Sequence, residues 1–326
     1  MSEPQVLPTP TFPEKVSNTS RSTFVQCPQK WYWAYCLRGM RGKTVRGVDL
    51  VAGGAFAKGL ETVRKAFYEQ GIDAEAAIQL GVDAAADEYG DEPNDGHVKA
   101  KHRVLGAVYN YFDKYPLETD YLVPYKTAAG TGIEFKFAVP LPIQHPTLDQ
   151  PLLYEGRVDL IAEHKDINGI WIVDEKTMTK LGPQWRRKWD LDAQPTSYIW
   201  AAQQHGYNVA GALIRGISFL SKGYGYEESL QPRSQFQIDD WYNQLLRDVR
   251  RMIYTFTNAS ATNAIEYERP DRALDKDACA AYSGCAFLQP CKAADPNPWL
   301  WQIFNPPENQ TFDGADGHVD LMSLFD

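Results

Sequence analysis

The chain has 326 residues, 44% of them hydrophobic, and its 33 basic and 42 acidic side chains leave a net charge of −9. That length and composition allow one large globular domain or two small ones with a sizeable core. The acidic total excludes a protein that coats nucleic acid with a uniformly basic surface, but leaves room for a local basic groove. No run approaches the ~18 consecutive apolar residues of a membrane-spanning helix. Residues 1–16 are Pro-rich and polar, without the basic start and apolar core of an export signal. A soluble, cytoplasmic protein with no membrane partner is the expectation.

Taken in chain order, residues 1–16 are expected as a flexible tail and residues 20–37 as a helix. A Gly- and Arg-rich loop with Arg38, Arg41, Lys43 and Arg46 follows. Over 54–70 the apolar residues Phe56, Leu60, Val63 and Phe67 recur at spacings of four, three and four, which predicts an amphipathic helix. Helices are also expected over 74–89 and 97–115. The texture then changes to β-branched and aromatic runs at 121–126, 133–141, 152–163 and 169–175, separated by Gly, Pro, Asn and Asp, which read as strands of one sheet. A helix over 191–206, a strand over 210–220 and a long amphipathic helix over 238–258 complete the pattern. The last 34 residues contain no Lys or Arg and are rich in Pro, Asn and Asp, so 293–326 is expected as an acidic, irregular tail. The fold class is α/β, with a mixed central sheet flanked by helices in one domain over 17–292.

The most informative stretch joins Gly156-Arg157-Val158-Asp159 to Val173-Asp174-Glu175-Lys176-Thr177. Asn168-Gly169 between them signals a hairpin turn, which makes the two runs antiparallel neighbours. Side chains alternate across a strand, so Asp174 and Lys176 share a face while Val173 and Glu175 point to the other. Two carboxylates and a strand carbonyl suit Mg2+ or Mn2+ and leave positions for water and a phosphate oxygen. Lys176 would orient the attacking water or stabilise charge developing on the phosphate. The same residues could equally form a plain ion pair on a hairpin surface.

Five cysteines, Cys27, Cys36, Cys279, Cys285 and Cys291, in a chain with no export signal argue against disulfides. Three of them fall within thirteen residues, and such crowding suggests a metal or cluster site. Structural zinc sites use pairs about two to four residues apart, and the gaps here fit that poorly. Lys180, Arg186, Arg187 and Lys188 cluster just after Lys176, with Trp185 and Trp189 interleaved. Phosphate contacts combined with base stacking would suit a single-strand groove; a solvated loop is the other reading.

These motifs together resemble the RecB-like branch of the PD-(D/E)XK nucleases, the group of the CRISPR adaptation nucleases and the AddB-type recombination nucleases. The resemblance touches five places in order: the opening helix with Cys27-Pro28, the Gly54 helix, Gly156-x-x-Asp159, Asp174-x-Lys176-Thr177, and Gln194-x-x-x-Tyr198. It implies a restriction-endonuclease-like core and a metal-dependent deoxyribonuclease, more an exonuclease acting on DNA ends or single strands than an endonuclease. Asp159, Asp174 and Lys176 would be catalytic, with Gln194 and Tyr198 on one helix face reaching the site or the DNA backbone. It also implies a [4Fe-4S] cluster on Cys27, Cys279, Cys285 and Cys291 that staples the periphery, and leaves Cys36 as a small core residue.

One departure is Lys58, which stands where many relatives carry a metal-binding His; lysine is no ligand at neutral pH. Glu61, one turn on, is the candidate oxygen ligand in its place. The competing reading is a catalytically weak DNA-binding or scaffold subunit, and a third is an electron-transfer iron-sulfur protein that leaves the carboxylates idle. No phosphate-binding Gly-rich loop ending in Lys-Ser or Lys-Thr is present, so any helicase motor would be a partner. The end of the chain, Asp320-Leu321-Met322-Ser323-Leu324-Phe325-Asp326, looks somewhat like a sliding-clamp docking peptide of a replication or recombination protein, without the usual leading Gln; a tail packed on its own domain is the favoured reading. Phage replication, recombination repair and CRISPR adaptation are the settings this reading allows.

Overall fold

The computed structural model describes residues 7, 9–37, 47–91, 96–127, 130–261, 269–273, 276–280 and 284–304. Arg38, Arg41, Lys43 and Arg46 and the terminal peptide 320–326 lie outside the described residues. The chain divides into two compact units. Met1–Gly47, Ala138–Glu155 and Asn243–Asp326 make the first, and Val48–Phe137 with Gly156–Tyr242 make the second.

A short strand, β1 (Lys15–Ser17), leads into α1 (Asn18–Gln26). Ser17 caps this helix, its side chain accepting from the Ser20 amide. The helix stops at Cys27, which is extended at φ −160° and ψ 103°, because the residue before a proline is driven out of the helical region. Pro28 then opens α2 (Pro28–Trp31), which runs into a π-helical turn over Tyr32–Cys36. The single helix expected over 20–37 is therefore three segments, broken where Cys27-Pro28 demands it.

The chain continues with α3 (Val48–Arg64), a π-helical turn over Lys65–Glu69, α4 (Ala74–Tyr89) and α5 (Lys101–Lys114). Asp73 caps α4, and Gly90 at φ 74° ends it. The helices approach closely at small residues: a Cβ on Gly59 would lie 2.7 Å from Val108 Cγ2, and one on Gly81 only 2.2 Å from Val63 Cγ2. Phe56, Leu60, Val63, Val104, Val108 and Tyr111 form the core here, packed with Ile217 and Phe219.

The strands are β2 (Leu122–Pro124), β3 (Lys126–Thr127), β4 (Gly130–Thr131), β5 (Ile133–Gln144), β6 (Pro151–His164) and β7 (Ile170–Met178). Then come α6 (Pro183–Arg187), α7 (Ala193–Gln204), β8 (Val209–Phe219), β9 (Tyr224–Pro232) and α8 (Gln235–Ala261). The sheet has the order β1-β6-β7-β8-β9, with β2 and β5 also paired to β6. It is mixed: β6 and β7 are antiparallel, β7 and β8 parallel, and β8 and β9 antiparallel. A parallel pair needs a crossover, which α6 and α7 supply between β7 and β8. The fold is thus the expected α/β class, a mixed sheet flanked by helices.

In the first unit, Phe12 lies edge-on to Trp31, Phe256 and His145, and is 3% exposed. The Thr11 amide donates to the Cys36 carbonyl at 2.8 Å. The tail expected over 1–16 is therefore overturned for residues 11–16, because one aromatic among polar neighbours found an apolar slot. The last described elements are α9 (Lys276–Ala280), α10 (Leu288–Lys292) and α11 (Asn297–Phe304). Leu300 and Ile303 are buried, so 297–304 is a packed helix rather than the irregular tail its composition predicts. Among the described residues, no helix is long and apolar enough to cross a membrane.

Candidate active site and cysteine cavity

The hairpin of β6 and β7 pairs Leu160 with Val173 and Ala162 with Trp171. Its turn takes Asn168 and Gly169 to φ 26° and 123°, a region that Asn and Gly reach with least strain. The backbone ladder ends at Leu160 and Val173. Beyond it the Glu175 amide donates to Asp159 Oδ2 at 3.1 Å, so the Asp159 side chain satisfies an amide that the neighbouring strand does not. On β7, Lys176 Nζ donates to Asp174 Oδ1 at 2.9 Å and lies 2.7 Å from Oδ2. The contact to Oδ2 is Coulombic, since that buried oxygen receives no aligned hydrogen bond.

The electrostatics follow from this crowding. Burial, and after it the charges of Asp174 and Glu175, push Asp159 up to about 8. Asp174 is raised as well, by burial first and against the pull of Lys176. Burial works against the charge on Lys176, but Asp174 and Asp159 outweigh it and hold the ammonium above its usual range. Two buried acids beside one ammonium repel each other when both are charged, and a cation relieves such crowding. The residues therefore fit a divalent ion: two buried carboxylates on neighbouring strands. Among the described residues, no group of three or more His, Cys, Asp or Glu stands in the geometry of a single bound ion.

The other expected residues fall into place unevenly. Gln194 Nε2 donates to the Tyr198 hydroxyl at 3.0 Å on α7. The Tyr198 ring meets Phe137 edge-on at 6.2 Å, and Phe137 covers Gly156, where a Cβ would come within 2.5 Å of its Cζ. The glycine of Gly156-x-x-Asp159 thus makes room for the ring that backs Tyr198. Glu61 is differently engaged: Oε2 pairs with Lys58 at 3.0 Å and Oε1 with Lys65 at 2.6 Å. Burial opposes its charge, yet the two lysines outweigh burial and keep its pKa lowered. A metal at Glu61 would have to displace both.

Lys180 and Arg187 are exposed, and Arg186 is ion-paired with Glu227. Lys188 Nζ sits 4.2 Å over the Trp189 ring and 3.9 Å from Met178 Sδ; Met178 shares the β7 face of Asp174 and Lys176. Trp185 and Trp189 are each 4% exposed, with ring centroids 5.9 Å apart. Trp185 presses on Gly216, where a Cβ would lie 2.6 Å from its Cζ2. The expectation that these tryptophans stack on bases is overturned: they anchor the segment and carry its basic residues outward. Asp192 was missed as a site residue. It caps α7, accepting from the Gln194 amide at 2.8 Å, and its charge acts on Asp174, Lys176 and Lys188. The only sequence signal was an Asp in the N-cap position.

In the first unit, Cys27, Cys279, Cys285 and Cys291 line one cavity together with Lys30, Arg272, Phe287 and Leu288. Cys27 Sγ caps α2, accepting from the Lys30 and Ala273 amides at 3.4 Å each. Cys291 Sγ donates to Gln29 Oε1 at 3.1 Å. The Cys285 amide donates to the Cys279 carbonyl at 2.9 Å. Burial, then the neighbouring thiols, push Cys291 up to about 11, and burial likewise raises Cys285. Cys36 is fully buried and does not line the cavity.

No curated protein matches the chain significantly. A solved structure from Eubacterium rectale, named as a candidate exonuclease, is 15% identical with a TM-score of 0.46, covering 81% of this chain and 87% of that one. A second, named SSO0001, is 13% identical with a TM-score of 0.27, covering 59% and 73%. A model of the PD-(D/E)XK nuclease superfamily matches residues 15–292. That match runs from β1 to α10 and takes in the strand where Asp174 and Lys176 meet, and by it the chain belongs to the PD-(D/E)XK nuclease superfamily.

Proposed function

We propose that the protein is a divalent-metal-dependent deoxyribonuclease that hydrolyses phosphodiester bonds at DNA ends, with an iron-sulfur cluster bracing its first unit. The observation that carries the reading is the grouping of Asp159, Asp174 and Lys176 on neighbouring strands, with both carboxylates buried. Asp159 and Asp174 would hold Mg2+ or Mn2+. When bound, such an ion lowers the pKa of water and offsets charge on the phosphoryl group. Asp174 holds the Lys176 ammonium beside the carboxylates, where it counters the charge of an incoming phosphate. Lys188, with Lys180 and Arg187, supplies further cations for the strand, and the Gln194 and Tyr198 pair orients groups at the helix end. End-labelled single- and double-stranded DNA incubated with Mn2+ tests this. Cleavage that disappears in Asp174→Ala supports it, and no cleavage with any divalent metal overturns it.

For the cysteine cavity, four thiols around one space match the ligand number of a [4Fe-4S] cluster. Structural zinc sites use pairs about two to four residues apart, and the spacing of Cys279, Cys285 and Cys291 fits that poorly. Anaerobic purification with iron and sulfide analysis and a visible absorbance spectrum test this part. The second reading, a DNA-binding subunit of little activity, draws on the Lys58–Glu61–Lys65 arrangement. It predicts DNA binding unchanged in Asp159→Ala and Asp174→Ala, with no cleavage in the wild type.

A further inference from the structure

Glu175 sits between Asp174 and Lys176 and, by strand alternation, points to the opposite face of β7. There it is 3% exposed at its side chain, and it meets Arg64 of α3, 6% exposed, in a two-pronged ion pair. The Tyr111 hydroxyl on α5 donates to Glu175 Oε1 at 3.0 Å and accepts from Arg64 and from Arg215, each at 3.2 Å. Arg215, beside Glu175 on β8, forks onto Asp120 at 2.7 and 2.8 Å and reaches Glu228 at 2.9 Å. Replacing buried ion pairs by apolar side chains is often neutral or stabilising, so stability alone is a weak reason for this network.

What the network fixes is a single amide. The ladder between β6 and β7 ends before the catalytic stretch, and there the Glu175 N–H is the group that holds Asp159 Oδ2. We propose that Glu175, clamped by Arg64 and Tyr111, is a positioning residue: its carboxylate anchors β7 from behind, and its amide thereby aims Asp159 at the metal beside Asp174. The inference rests on the metal-dependent reading above. Arg64 and Glu175 act as one device on Asp159, and neither touches substrate.

The test is the pair Arg64→Met with Glu175→Met, measured beside the wild type for Mn2+ affinity by electron paramagnetic resonance, for kcat and KM on DNA, and for thermal midpoint. The expected result is a folded double variant whose midpoint lies near that of the wild type. Its Mn2+ affinity falls about tenfold or more, and its kcat falls by up to ~100-fold with KM unchanged, as for a small misplacement of a reacting group. Wild-type Mn2+ affinity and kcat in the folded double variant overturn the role. Should that variant not fold, Arg64→Lys keeps the charge and loses the fork. An intermediate loss of Mn2+ affinity with unchanged circular dichroism then supports the role, and no loss overturns it. A wild type that binds no Mn2+ sinks the metal-dependent reading and this role with it, whereas a binding wild type with an unaffected variant sinks only the role.

Discussion

The carboxylate centre and the cysteine cavity solve the same physical problem by opposite routes. Each collects like groups that repel one another when charged: Asp159 is pushed up to about 8 and Cys291 to about 11, both by burial first. The carboxylates are brought together by one hairpin, whose ladder runs up to Leu160 and Val173, and the Glu175 amide then holds Asp159 Oδ2. The thiols come from Cys27 and from 279–291, and their frame is a helix cap and a few turn hydrogen bonds. A site on one hairpin needs little chain to close, whereas one gathered across some 250 residues of chain closes a long loop and, on the proposed reading, would be braced by the group it holds.

The sharpest way to break that comparison is Asp174→Ala or Lys176→Ala. Cleavage is expected to fall by about 100-fold or more, with the fold and any cluster absorbance retained. A fold that collapses would mean the centre is not prebuilt. Cys291→Ser should do the reverse: visible absorbance and bound iron are lost and stability drops by on the order of 3 kcal/mol, as for a cross-link closing a long loop. Mn2+ binding at Asp159 and Asp174 should persist in that variant, as titration would reveal. Gly156→Val drives a side chain into the Phe137 ring. Overpacking of this kind costs about 1–3 kcal/mol, and differential scanning calorimetry would measure it.

A pH series separates the sites further. The folded carboxyl of Asp159 keeps its proton above the unfolded value of about 3.9, up to about 8. Where the folded state binds more protons, unfolding free energy falls as pH rises. The Asp159 contribution is therefore fully present below pH ~4 and is lost as pH climbs through about 8. Mn2+ should stabilise the protein most at the upper end of that window, read as the metal-dependent midpoint shift at successive pH values. The smallest effect is expected from Lys180→Ala or Arg187→Ala, each reducing the salt dependence of single-strand binding by about 0.7 in log-log slope.

What the sequence disclosed follows the same division. The hairpin was legible because Asn168-Gly169 and strand alternation are local signals, and they put Asp174 and Lys176 on one face as observed. Alternation also sent Glu175 to the other face, but not to Arg64 and Tyr111, which lie 111 and 64 residues away. The edge strand β9 went unpredicted because Tyr224-Gly225-Tyr226-Glu227-Glu228-Ser229 is only half-buried and lacks a clean apolar alternation. Trp185 and Trp189 were misread because aromatics between basic residues look alike whether they face solvent or, as here, the sheet. Glu61 was placed on the right helix, while the lysines at its own i−3 and i+4 positions decided what it touches.

The order in which the two units are spelled out along the chain has a consequence for biosynthesis. The stretches Val48–Phe137 and Gly156–Tyr242 are both complete by residue 242, whereas the unit around the thiols opens near the start and finishes only past Cys291. Units tend to fold as they leave the ribosome. The nascent protein therefore carries the strands of Asp159, Asp174 and Lys176 in finished form while Cys279, Cys285 and Cys291, which line one cavity with Cys27, are still to be translated.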